Sequence, residues 1–174
     1  GFITYFYTDV VGLTISVVGS ILLFARVFDG ITDILMGAVV DRTSTAKGKA
    51  RPWIKRMILP YALALILLFT SPSFLPQEMK AVYAFATYVI SLAGVYTMTM
   101  VPYNTMLGTT TSDSKERGFL STSRTIFGFL GAFLVNGIVL KVVGMFGNVT
   151  EASSWTKMAA VFALVSAVLL TILY

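Results

Sequence analysis

An all-α bundle of membrane-spanning helices is the fold class this sequence predicts, and three observations predict it. Of the 174 residues, 56% are hydrophobic and only 12% are charged, with a mean hydropathy of +0.83; a water-soluble domain carries about 25% charged residues. The apolar residues gather into runs of about 20 or more, the length a helix needs to cross roughly 30 Å of hydrocarbon. The connections between runs are short and polar, and they hold most of the basic residues. Lipid offers no partner for backbone N–H and C=O groups, so each run must close its own hydrogen bonds as a helix.

The elements follow in order. Residues 1–8, GFITYFYT, read as the aromatic end of a helix whose start precedes Gly1, and the chain as a piece of a larger protein. A second span covers 14–40 and stops at Asp41-Arg42, where charge returns. The third, 53–70, opens behind Pro52, which suits a first helical turn, and on Trp53, whose amphipathic ring favours the membrane interface. Pro60 is expected to kink it. The fourth span, 79–107, contains Pro102, which removes a backbone donor and is also expected to bend its helix. The fifth, 119–146, carries Gly128 and Gly131, a small-residue stripe suited to close helix packing. The sixth, 155–174, opens on Trp155, again an interfacial position.

Charge orients these spans. Arg42, Lys47, Lys49, Arg51, Lys55 and Arg56, with Lys115 and Arg117, put eight basic residues on one side, against Lys80, Lys141 and Lys157 on the other. Positive loops stay in the cytoplasm, so loops 41–51 and 108–118 are expected there, in a multi-pass protein of the cell membrane. The net charge of +5 is thus a record of topology, with no pointer to nucleic acid. The chain has neither Cys nor His, which excludes disulfide scaffolds, imidazole or thiolate metal sites and the familiar hydrolytic triads. Nothing in it suggests an enzyme.

The chemistry concentrates in the second span. Arg26, Asp29 and Asp33 stand at i, i+3 and i+7 and share one helix face, with the two acids about 5–6 Å apart at Cβ. Ionisable groups inside a membrane are expensive, and they face a partner or a cavity. Arg26 can neutralise only one of the acids, so the surplus negative charge suits a monovalent cation, Na⁺, or a proton. The plainer alternative is that Arg26 simply pairs with Asp29 to hold helices together. In the fourth span Thr97, Met100, Val101 and Asn104 share a face with Tyr103 beside it. That mixture of hydroxyl, amide and apolar groups suits a sugar, and it equally suits helix-to-helix hydrogen bonding. Arg124, near the start of the fifth span, can snorkel to the interface or reach into a cavity.

The second span ends Gly37-Ala-Val-Val-Asp41-Arg42, followed by a basic, Gly-containing run. This resembles the major facilitator signature between the second and third helices, in which the glycine would permit close helix approach. Three further stretches narrow the resemblance: Tyr7-Thr8-Asp9-Val10-Val11-Gly12-Leu13, Ala25-Arg26-Val27-Phe28-Asp29-Gly30-Ile31-Thr32-Asp33 and Gly48-Lys49-Ala50-Arg51-Pro52-Trp53-Ile54. With Val101-Pro102-Tyr103 and Lys115-Glu116-Arg117, they look like the glycoside-pentoside-hexuronide:cation symporters, the melibiose-carrier branch of the superfamily.

The resemblance implies a cation-coupled sugar symporter that works by alternating access. The chain would contribute the end of helix 1 plus helices 2 to 6, and a C-terminal half would complete the carrier. Asp29 and Asp33 match that family's cation-binding acids, Thr97 a hydroxyl that assists them, and Arg124 a basic residue of sugar binding and coupling. Arg26, Gly37, Asp41, Arg42 and Arg117 fall in the conformational and loop motifs. Met100 and Asn104 stand where the melibiose carrier has an Asp and a Trp, so galactoside specificity is not implied. The alternatives are another carrier of the superfamily, a proton-coupled exporter or Na⁺-dependent lipid carrier, and a membrane assembly subunit that transports nothing.

Overall fold

The computed structural model describes residues 2–45, 48–111 and 113–174. Gly1 of the stub and Lys47 of the basic loop lie outside them. Helix α1 (Phe2–Tyr5) runs into a π-helical turn, Phe6–Val10. The chain then breaks at Gly12, whose φ of +79° favours glycine, and the Gln77 side chain donates from Nε2 to the carbonyls of Val11 and Gly12 there. The long helices are α2 (Ile15–Arg42), α3 (Arg51–Leu68), α4 (Gln77–Val89), α5 (Thr97–Thr109), α6 (Ser114–Phe146) and α7 (Ala152–Leu173). Between α4 and α5 the helix does not stop; it passes through a second π-helical segment, Ile90–Tyr96. No strand occurs among the described residues.

Four helical runs are long and apolar enough to cross a membrane: α2, Gln77–Met106 through α4 and α5, α6 and α7. Helix α3 carries Arg51, Lys55 and Arg56 in its first two turns. That leaves an apolar stretch over 57–68, about 18 Å at 1.5 Å per residue. Pro52 lies in its first turn, and Pro60 and Pro102 sit inside continuous helices.

Helix α3 packs along α7 and against α4 and α5, while α2 packs on α4, α5 and the π segment between them. Helix α6 touches the rest lightly, through α7 and the start of its approach to α5, and only Val139 and Val143 are buried on it. Gly128 and Gly131 on α6 and Gly37 on α2 would accept a Cβ with no atom within 4 Å. The close approaches expected at these glycines are therefore absent among the described residues, because those faces meet no neighbouring helix.

The bundle's two ends differ. At one, Trp155 is fully buried among Phe2, Tyr5, Phe6 and Phe69, stacked on Phe69 with centroids 5.8 Å apart. Its Nε1 donates to the Val149 carbonyl at 2.7 Å. The expected interfacial ring is instead a core residue, since the aromatic stub closes over it. At the other end Lys55 Nζ lies over the Tyr174 ring at 5.1 Å, which places the end of α7 beside the basic start of α3. Trp53 Nε1 donates to Thr43 Oγ1 at 3.0 Å, tying the two sides of the connecting loop.

Two loop assignments are corrected here. Asp41 and Arg42 form the last turn of α2, and Lys115, Glu116 and Arg117 form the first turn of α6. Asp113 caps α6 by accepting from the Lys115 amide at 2.8 Å, and Arg117 Nη2 donates to the Thr111 carbonyl at 3.0 Å. A capped helix outlasts its apolar stretch because water, like the cap, satisfies the end groups.

Candidate functional site

The site forms where α2 crosses the junction of the π segment and α5. Asp29 uses its two oxygens differently. Oδ1 accepts from Thr97 Oγ1 at 3.1 Å, across helices, while Oδ2 lies 3.4 Å from Arg26 Nη1, one turn away on the same helix. Thr97 is buried, 1% exposed, and the Asp29 side chain is 15% exposed. Arg26 is 68% exposed at its side chain, and its contact with Asp29, at 3.4 Å, is a long one. It is the sole ion pair among the described residues that the geometry allows.

Asp33, one turn further along α2, is exposed and carries no hydrogen bond or ion pair among the described residues. Two carboxylates thus share one arginine, and that arginine leans on Asp29 alone. Thr32, between them in sequence, donates its hydroxyl proton back to the carbonyls of Phe28 and Asp29. Asp29 with the buried Thr97 hydroxyl of the crossing helix, and Asp33 one turn further along α2, are oxygen donors of the kind a hard monovalent cation or a shared proton takes.

A second pairing lies toward the end that bears the basic loops. The Arg124 guanidinium of α6 sits over the Tyr103 ring of α5 with 4.9 Å to the centroid. Planar guanidinium on an aromatic face leaves the N–H fork free for other acceptors. Met100 and Tyr103 are half-buried and Asn104 is exposed, so the α5 face passes from buried at Thr97 to open at Asn104. Arg124 and Tyr103 are brought together, and Met100 and Asn104 flank Tyr103 along α5. Arg117 is held at the base of α6 by Thr111, and Gly37, Asp41 and Arg42 lie along the far end of α2, away from Asp29.

Sequence inspection did not find the π segment. Ser91-Leu92-Ala93-Gly94 contains no proline and no charge, and its only local mark is a run of small residues. The consequence is at Thr97, whose backbone N–H donates to the carbonyls of both Leu92 and Gly94, and whose hydroxyl reaches Leu92 as well as Asp29. Behind the segment lies a largely apolar cavity of about 150 Å³, lined by Tyr61, Ala64, Tyr88, Ser91, Leu92 and Val95 among others.

The whole chain, residues 1–174, matches the family model described as MFS/sugar transport protein. The chain belongs to that family. It is 38% identical to the putative glycoside/cation symporter YagG of Escherichia coli, over 99% of this chain and 37% of the relative. It is 34% identical to the isoprimeverose transporter of Lactiplantibacillus pentosus, over 99% of this chain and 36% of the relative. With the inner membrane symporter YicJ of Escherichia coli the identity is 31%, over 97% of this chain and 36% of the relative. The chain therefore spans little more than a third of the length of the curated relatives it matches. Fold, family and the resemblance to glycoside-pentoside-hexuronide:cation symporters agree: this is an all-α, multi-pass membrane segment of a major facilitator protein.

Proposed function

We propose that this chain supplies the cation-coupling part of a sugar symporter, the remainder of the carrier lying outside its 174 residues. The observation that carries the proposal is the hydrogen bond at 3.1 Å between Thr97 and Asp29, with Asp33 one turn on and only Arg26 to offset two acids. A cation, Na⁺ or H⁺, held by Asp29, Asp33 and Thr97 removes the surplus negative charge between α2 and α5. Arg124, presented on Tyr103, and the neighbouring Met100 and Asn104 then take a glycoside, its hydroxyls meeting the guanidinium and amide and its ring face the apolar groups. The two halves of the carrier rock about this region to expose it to either side in turn.

Coupling of this kind is reciprocal: the factor by which the cation tightens sugar binding equals the factor by which sugar tightens cation binding. The end that bears Arg42, Lys49, Arg51, Lys55, Arg56, Lys115 and Arg117 faces the cytoplasm of a cell membrane, a reading the distribution of positive charge supports. Names of the relatives, a glycoside/cation symporter and an isoprimeverose transporter, support a glycoside as the substrate class.

Uptake of radiolabelled glycosides into vesicles bearing the full-length carrier, with an inward Na⁺ gradient, a proton gradient or neither, tests the proposal. Gradient-stimulated uptake that is lost in Asp29→Asn and in Asp33→Asn is the expected result. Stimulation that survives both substitutions overturns the assignment of the site.

A further inference from the structure

Several threonines in the helices of this chain return their hydroxyl protons to their own helix four residues back, and Thr156, which reaches the Phe69 carbonyl at 3.0 Å, still keeps its bond to Ala152 four back. Thr87 donates to Tyr83, Thr99 to Val95, Thr105 to Val101 and Thr125 to Ser121, all at 2.8–3.0 Å. Thr97 departs from the pattern. Its fourth residue back is Ala93, yet its hydroxyl lies 3.3 Å from the carbonyl of Leu92, five back, and 3.1 Å from Asp29 Oδ1 on another helix. The cause is the π-helical segment Ile90–Tyr96, which ends at Thr97 and whose last backbone donor also reaches five residues back to Leu92. Each residue of an α-helix advances about 100° around the axis, so one residue of extra register re-aims everything beyond it by about that angle.

A threonine hydroxyl has one proton and two acceptor lone pairs. Between Asp29 Oδ1 and the Leu92 carbonyl the proton can satisfy only one. When it bridges to Asp29, the proton lies between the two oxygens, where a shared cation would sit; when it turns to Leu92, that side of the oxygen is left to a lone pair. An ordinary α register would instead send the proton to Ala93 and swing the side chain away from α2.

We propose that the π segment is the device that aims Thr97 at the acid pair, and that Leu92 is a positioning residue whose main-chain carbonyl receives the Thr97 proton when a cation occupies the site. The inference rests on the proposed cation site at Asp29 and Asp33 and adds the element that responds to its occupancy. The cavity of about 150 Å³ on the other side of Leu92 leaves the segment room to shift as the proton changes partner. Segments of π-helix inside α-helices recur at functional sites for this reason: they re-aim side chains while leaving the helix intact.

Hydrogen exchange of the full-length carrier, unaltered and without sugar, in NaCl against choline chloride, tests it. Na⁺ should slow exchange in two places together, α2 around Asp29 and residues 90–97, and Asp29→Asn should abolish both effects. Slowing confined to α2, with 90–97 unchanged, overturns the role of the π segment and leaves the acid site standing. No Na⁺ effect in either place, with an equally silent proton titration, overturns both. Deleting Gly94, which returns the segment to an α register, should raise the half-saturating Na⁺ concentration about tenfold or more. A deletion variant that reaches the membrane and keeps the original Na⁺ dependence overturns the inference; should it fail to reach the membrane, the exchange result on the unaltered protein decides.

Discussion

Replacing Thr97 by Val keeps the shape of the side chain and removes the hydroxyl. Thr97 is 1% exposed and Asp29 15% exposed at its side chain, so the bond between them at 3.1 Å is largely withdrawn from water. Hydrogen bonds to charged groups in such surroundings contribute about 1.5–3 kcal/mol. What the substitution removes from the cation-bound state is a charged contact of the same kind, the hydroxyl oxygen on the cation, and the bond to Asp29 that the empty site no longer has to give up offsets part of it, which places the expected loss at the lower end of that range. At about 1.4 kcal/mol per factor of ten, cation affinity should fall about tenfold. Packing is preserved by the isosteric methyl, so the protein should still reach the membrane and its maximal uptake at saturating cation should be little changed. Initial rates of labelled glycoside uptake, with Na⁺ titrated against choline in vesicles, measure the half-saturating concentration directly. Thr97→Ser, which restores a hydroxyl, should lie within about threefold of the original protein. An unchanged half-saturation in Thr97→Val, at equal amounts of protein in the membrane, would refute the placement of a cation beside this hydroxyl.

Three other outcomes follow from the geometry. Arg124→Lys loses the planar stack on Tyr103 at 4.9 Å, and the sugar concentration for half-maximal uptake should rise about two- to fivefold at saturating cation, with cation dependence unaltered. Gly147→Ala puts a Cβ 2.7 Å from Ser154 Oγ at a φ of +146°, and should lower the melting temperature in detergent by an amount equivalent to about 1–3 kcal/mol, whereas Gly37→Ala, with no atom within 4 Å, should be neutral or slightly stabilising. Trp155→Phe forfeits the bond to Val149 at 2.7 Å, about 1 kcal/mol, together with part of the ring packing, and should melt well above Trp155→Ala, which empties the ring cluster; equal losses would contradict the stacked packing against Phe69.

The order and extent of the helices were legible from composition and local pattern. A run of apolar residues in lipid has no choice but to close its own hydrogen bonds, and that constraint acts along the chain with no help from distant residues. The helix over Ile15–Arg42 and the acids on its face are products of the same local periodicity. Helix ends were less legible: Asp113 extends α6 back to Ser114 through a cap that hydropathy does not register.

What only the tertiary structure decided is how distant residues meet. Asp29 and Thr97 are 68 positions apart, and their pairing depends on α2 crossing the helix at the point where a π segment has turned Thr97 toward it. The same holds for Trp155, buried because the Phe2–Tyr5 stub and Phe69 close over it, and for Gly37, Gly128 and Gly131, whose small size meets no neighbour among the described residues. Helix formation is settled by the next four residues. Which acid keeps a partner and which stays open is settled by the crossing of helices, since a carboxylate's energy depends on the groups within a few ångströms of it, wherever in the chain they arise.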